Sequence, residues 1–324
     1  MKRRNVVNAM LAVAISAVSA LAWGQQAYPS RPVRIIVAVP AGGSIDLVAR
    51  LVGQRLTEAL GQAFLVDNRP GAAGIIGTEL TAKSAPDGYT LTMSAAAFLS
   101  SHPSTFAKLP YDPLRDFAPV INVVLQPSVL VVHASAPFKT VTELAAFARA
   151  NPGKLNFGSG GDGSPHHLSG VMFGSATGTK MVHVPYKGGA PAMADLLAQR
   201  VDLIFAPVPE ALPHIRGGKL RALAVLSPRR TPVLPQVVTM QEAGFPGLVL
   251  DTWIGLAAPA ATPRDVVMTL NHAVQKALDG DLRARFAEVG LDIAGGTPEQ
   301  FVATIRSDMA LYARLVKESG MAIQ

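Results

Sequence analysis

The stretch Val33 to Arg50, VRIIVAVPAGGSIDLVAR, constrains this chain more than any other. Val33 to Val39 is an unbroken apolar run, the pattern of a strand buried on both faces of a sheet. It stops at Pro40, turns through Gly42 and Gly43, and enters an amphipathic helix near Ser44 to Asp46. A strand that empties through paired glycines into a helix aims free backbone N–H groups at one point. The helix dipole reinforces them, and the point suits a carboxylate or a phosphate. The device recurs at Gly158 to Ser164, GSGGDGS, between a strand over 154–157 and a helix starting near Pro165.

Strands over 33–39, 64–67 and 89–94 alternate with helices over 46–60 and 74–85. After a Pro-rich loop at 103–119 a second set follows: strands 128–133, 154–157, 180–184 and 201–205, with helices 140–150, 165–176 and 189–199 between them. This alternation predicts an α/β fold of mostly parallel sheets flanked by helices, with ligands at the rim where the strands end. The chain length favours two lobes. An internal echo suggests where they divide: VLVVHASAPFKTVTELAAFARA and WIGLAAPAATPRDVVMTLNHAVQKAL both run strand, Pro bend, helix. If both strands cross between lobes, residues 25–125 and 225–265 form lobe 1, and 126–224 and 266–324 form lobe 2.

The first 24 residues read as a secretory signal peptide, with Lys2, Arg3 and Arg4 before an apolar run and small residues at Ala22 and Gly24. No Cys stands near that point, so a lipid anchor is excluded, and export to the periplasm is expected. With no cysteine anywhere, the fold rests on core burial without disulfides. Removing the three basic signal residues leaves 26 Lys and Arg against 22 Asp and Glu. That mild excess, with no basic run interleaved with aromatics, argues against nucleic acid and is compatible with small anions.

Gly158 to Gly163 also matches G-x-G-x-x-G in a strand–helix context. A dinucleotide site needs an acidic residue at the end of the next strand. Met181 to Tyr186 supplies none, so no cofactor is expected. A third rim loop, Val184 to Gly189, passes from strand to helix through Gly188 and Gly189. Its Lys187 either adds a positive charge to a held anion or is solvated, and Tyr186 is either a cleft wall or core. Asp46 and Asp162 would repel an anion if they faced it; bracing their own loops through backbone N–H bonds is the favoured role. His167 either faces the cleft or braces the glycine loop. The chain has no G-x-S-x-G and no H-E-x-x-H, and adjacent His166 and His167 point about 100° apart on a helix, so a shared metal is not expected.

Together these segments resemble the substrate-binding receptors of tripartite tricarboxylate transporters, the Bug-type extracytoplasmic receptors. The resemblance rests on PVRIIVAVPAGGSIDLVAR, VDNRPGAAGIIG, SAPDGYTL, LPYDPLRDFAPV, LNFGSGGDGSPHHLSG, HVPYKGGAPAMADLLAQRVDLIF, PHIRGGKLRALAV and WIGLAAPAATP, from about Tyr28 to Met321. It implies a two-lobed periplasmic binding protein fold, a monomer, that holds a small carboxylate between lobes and delivers it to membrane transporter subunits. A ligand sensor feeding a signalling protein is the alternative, and an exported enzyme a more distant one. The resemblance carries the ligand contacts onto Val39, Ala41, Gly42, Gly43, Ser44 and Asp46 of the first loop. In the second loop it carries them onto Ser159, Gly160, Gly161, Asp162, Gly163 and Ser164, largely through backbone N–H groups and ordered water. Further walls would come from Ser94 and Ala95, from Tyr186, Lys187 and Gly188, and from Ala206 and Pro207. Two departures stand out. Val39 replaces an aromatic usual before the turn, and the loop after strand 89–94 is Ala-rich where the family has Ser or Thr.

Overall fold

β1 (Val33–Val37) is buried at every position but Arg34 because it lies between two parallel neighbours, β2 (Phe64–Asn68) and β3 (Thr90–Ala95). The computed structural model describes residues 28–319, so the expected signal segment lies outside the described residues. Between these strands α1 (Ser44–Leu60) turns Val48, Val52 and Leu56 onto the sheet and ends at Gly61, left-handed at φ 72°. α2 (Ile75–Ala82) covers the next crossover. After β3 a π turn, Ala97–Ser101, runs into the short helix α3 (His102–Thr105).

β4 (Phe117–Gln126) and β5 (Ser128–His133) are separated by Pro127 alone, and there the chain passes from one sheet to a second. The second lobe follows as α4 (Val141–Ala150), β6 (Asn156–Ser159), α5 (Pro165–Thr177), β7 (Val182–Pro185), α6 (Gly189–Leu197), β8 (Leu203–Pro207), α7 (Val208–Arg216) and β9 (Leu220–Val225). The chain returns as β10 (Thr252–Pro259), α8 (Arg264–Asp279), α9 (Leu282–Glu288), β11 (Asp292–Gly295) and α10 (Pro298–Ser319). The first sheet is ordered β11-β4-β10-β3-β1-β2 and the second β7-β6-β8-β5-β9. In each, most strands run one way, and the strand entered on crossing between lobes, β10 or β5, runs against its two neighbours.

Three expectations need correction. Residues 225–250 were expected in lobe 1, but Val225 ends β9 and pairs with Thr239, and Leu226 and Leu250 extend the same hydrogen bonding beside β5, so the chain returns to the first lobe only at β10. The segment after residue 265 was expected in lobe 2, but β11 pairs with β4 of the first sheet and α8 packs on α1 and β4. A helix joined to a strand by a short bend covers that strand's own sheet, so the echo between the β5–α4 and β10–α8 units places one on each lobe. α10 belongs to neither lobe alone, since it touches β4, α3 and α5. The Pro-rich stretch 103–119, expected as loop, contains the end of α3 and the start of β4. Pro119 is tolerated in β4 because β11 pairs only with Asn122 to Leu125, and the β4–β10 register shifts beside it.

A single apolar cluster runs from Leu99 and Phe117 of the first lobe through Leu130, Phe173 and Phe205 of the second to Trp253, Phe301 and Tyr312. Each such side chain contributes roughly 1.5–3 kcal/mol on burial. Trp253 meets the Phe301 ring edge-on at 4.8 Å, and its indole N–H donates to Asp308 Oδ2 at 2.7 Å, tying α10 to β10.

Candidate functional site

In the first lobe the Pro40–Gly43 turn sits at the end of β1, with Pro40, Ala41 and Gly42 exposed and Val39 half-buried. Gly42 has φ 95°, a conformation that disfavours any side chain, and a Cβ on Gly42 or Gly43 would meet no atom within 4 Å. The turn therefore opens onto free space. Gly43 is the N-cap of α1 and no side chain caps that helix, so its first N–H groups have no side-chain acceptor. Asp46 explains how the turn keeps its shape. It is 4 % exposed and accepts from Gly42 N–H (3.0 Å), from Asn68 Nδ2 (3.0 Å) and from both Nε and Nη2 of Arg50 (3.0 Å each). Burial pushes its carboxyl pKa up, but these bonds outweigh burial and hold it below the ordinary value. Asp46, carried onto the ligand by resemblance, is thus a brace whose oxygens are already taken.

The second loop is built differently. Ser164 caps α5, accepting from His167 N–H at 3.4 Å and donating to Gly161 O at 2.6 Å. His167 Nδ1 accepts from Gly163 N–H at 3.2 Å, and its ring stacks on His183 with centroids 3.7 Å apart and planes 5° apart. His183 Nδ1 lies 3.3 Å from Asp162 Oδ1, and its Nε2 lies 2.6 Å from Ser159 Oγ, which also accepts from Gly161 N–H at 3.0 Å. Burial, then the neighbouring His183, push His167 down to about 4, against a smaller upward pull from Asp162; burial also lowers His183. Both rings are therefore neutral at pH 7. Asp162, His167 and His183 bring one ligand atom each within 4.8 Å. They fit a metal poorly, because one ion cannot lie in the planes of two stacked rings and the His167 Nδ1 lone pair is already used.

The third rim loop docks on the second: Tyr186 N–H donates to Ser159 O at 3.0 Å, and a Cβ on Gly160 would lie 3.3 Å from Gly189 N. Tyr186 OH donates to Asp195 Oδ2 at 2.7 Å, and burial first, then that carboxylate, push it up to about 12. Its polar tip is occupied. Lys187 is exposed, and Gly188, at φ 117°, faces open space. Ser94 and Ala95 are buried at the end of β3, Ser94 Oγ and Ser44 Oγ both without a hydrogen-bond partner. Ala206 and Pro207 are buried too, with Ala206 packed in the second lobe's core, so neither offers a side chain to an open cleft.

Residues 95–105 join the two glycine turns. Ala95 and Phe98 pack with Val39 and Ile45 beside the first turn. Ser101 Oγ donates to Gly163 O of the second at 3.0 Å, and a Cβ on Gly163 would lie 2.8 Å from Thr105. Sequence reading missed Ser101, Thr105 and His183, because nothing local marks a residue that matters through a partner more than 20 positions away. A separate surface cavity of about 730 Å³ lies by β9, lined by residues including Thr140, Arg221 and Glu242. Arg221 there donates to the carbonyls of Ala134, Ala136 and Phe138, and Glu242 pairs with Arg230, so these two charged groups are engaged.

The family model for the tripartite tricarboxylate transporter family receptor matches residues 48–321. The chain belongs to this family. As a member it is 38 % identical to protein BugT of Bordetella pertussis over 299 residues, 92 % of each chain. Among solved structures it is similar to R. palustris Rpa4515 with adipate, at 35 % identity and TM-score 0.87, covering 91 % of this chain and 99 % of that one. It is also similar to MatC of Rhodopseudomonas palustris with bound malate, at 31 % identity and TM-score 0.82, covering 89 % and 100 %. The family is one of solute-binding receptors, and its members share the two-lobed fold described above.

Proposed function

We propose that this receptor captures a small carboxylate between its lobes in the periplasm, as a monomer, and delivers it to the membrane subunits of a tripartite tricarboxylate-type transporter. The observation that carries the reading is the uncapped helix behind the open Gly42–Gly43 turn, linked through residues 95–105 to a second glycine turn on the other lobe. Adipate in one similar structure and malate in another support the ligand class. Charge-assisted hydrogen bonds contribute roughly 1.5–3 kcal/mol each. Four or five therefore suffice for about 8 kcal/mol, a micromolar affinity. A carboxylate that meets N–H groups of the first lobe and the facing wall of the second is held better when the lobes are closed, and that difference drives closure. The unpartnered hydroxyls of Ser44 and Ser94 are further candidate contacts.

Ser159, His183 and Asp162 stand in the order of a hydrolase triad, yet Ser159 has no exposed surface and its hydroxyl is bonded within its own loop. A nucleophile so placed reaches no substrate, which supports a receptor over an enzyme. Native mass spectrometry of the protein purified from its own periplasm tests the reading. A copurified small organic acid is expected, and a bound neutral sugar would overturn the ligand class. Pull-down from membranes tests the partner, and recovery of a signalling receptor in place of permease subunits would favour the sensor alternative.

A further inference from the structure

The lobes meet in two places. In the first sheet β3 and β11 stand on opposite sides of the β10–β4 pair that leads to the crossings. On the β3 side, Ser101 and Thr105 reach the second glycine turn at Gly163. On the β11 side, the turn between α9 and β11 lies against the second lobe. Gly290 in that turn is buried at φ 80°, and a Cβ on it would lie 2.5 Å from Val208 Cγ1 and 2.9 Å from Val233 Cγ2. Two residues on, Asp292 Oδ2 accepts from Arg229 Nη2 at 3.4 Å. Val208 begins α7, and Arg229 and Val233 lie in the segment after β9, so all three belong to the second lobe.

This second contact reaches both crossings of the hinge. Val208 N–H donates to Pro127 O at 2.9 Å, where β4 gives way to β5. At the return crossing, Asp251 accepts from Ser227 Oγ. Burial pushes the Asp251 carboxyl above its ordinary value, the Ser227 bond opposes that, and Asp292 and Arg229 act on it in opposite senses. Arg229 is therefore the counter-charge to two carboxyls across the hinge. Pairs such as Asp46–Arg50 and Arg230–Glu242 stay within one lobe, whereas Arg229–Asp292 joins the two.

A contact made in one arrangement of the lobes and absent from others stabilises that arrangement alone. We propose that Arg229 and Asp292, with Gly290 seated against Val208 and Val233, form a latch beside the hinge that holds the lobes together and sets the balance between joined and separated lobes. The latch touches none of the residues of the glycine turns. The inference holds whichever ligand the cleft takes.

Distance measurement in the ligand-free protein tests it. The chain has no cysteine, so Lys83→Cys in the first lobe and Lys154→Cys in the second, both at exposed positions, carry a pair of spin labels. Pulsed electron resonance then gives the populations of joined and separated lobes, and circular dichroism checks that each variant is folded. Arg229→Ala is expected to raise the ratio of separated to joined lobes about threefold. Arg229→Asp, which sets a third carboxyl beside Asp251 and Asp292, is expected to raise it about tenfold. Adding Asp292→Arg to Arg229→Asp restores an opposite pair and should return the ratio to within about twofold of wild type. Populations unchanged in Arg229→Asp, or shifted toward joined lobes, overturn the latch. Separation that the charge swap fails to reverse overturns the pairing of Arg229 with Asp292.

Discussion

The two glycine turns stand at equivalent strand-to-helix junctions of the two lobes, but only one of them opens onto free space. Around Gly42 and Gly43 a Cβ would meet nothing, the helix behind is uncapped, and the shape is set from below by the Asp46–Arg50–Asn68 cluster. Around Gly161 and Gly163 the backbone is crowded by Tyr186 and Thr105, the helix is capped by Ser164, and stacked His167 and His183 fill the floor. A glycine can therefore be required for two reasons. In the first lobe it leaves open space beside the turn, and in the second it lets the protein close on itself. The first turn presents N–H groups, while the second, already bonded internally, presents geometry and charge.

The largest expected difference comes from filling each turn. Gly43→Val should leave the melting temperature within about 2 °C of wild type and weaken carboxylate binding at least about a hundredfold, close to 3 kcal/mol. Gly163→Val should lower the melting temperature as well, because φ 72° and the Thr105 contact both resist a side chain. Retained affinity in Gly43→Val would break the comparison outright. Next, Asp46→Ala removes the acceptor for Gly42 N–H, Asn68 and Arg50, and should cost about 1–3 kcal/mol in urea unfolding. Asp162→Ala, at an exposed carboxylate, should cost less than about 1 kcal/mol; equal losses would erase the distinction between a brace and a rim charge.

Acid should act on the crowded side. His167, and His102 behind the π turn, are both pushed down to about 4 by burial, so the unfolded chain binds protons first as pH falls. Neither group penalises folding above about pH 6.5, and the penalty grows as pH drops from there to about 4. Melting temperatures between pH 7.5 and 4.5 should fall accordingly, and His167→Gln should flatten part of that slope. The smallest effect belongs to Lys187. Lys187→Ala should weaken ligand binding by no more than about fivefold at low salt, and an unchanged affinity assigns the lysine to solvent.

Much of this architecture is visible in the residue order, and for a local reason. Val33–Val39 with the paired glycines after it, and Ser128–His133, are read from periodicity and turn chemistry, which neighbours within a few positions decide. The strand that carries Pro119, the short proline-containing helices α3 and α7, and α10 were obscure because the elements they pack or pair with lie far along the chain. The lobe membership of β11 and α8 is of the same kind, a matter of which sheet offers an open edge or face.

At the site the division is sharper. The order of residues alone marked which turns would carry N–H groups, since glycine adopts the left-handed angle of Gly42, Gly161 and Gly163 most readily. Which of those groups stay free, and which are consumed by Ser164, His167 or Asp46, was decided by the packing of α1, α5 and β7. Hydrogen bonds join atoms by distance in space, and a linear pattern holds no record of that distance.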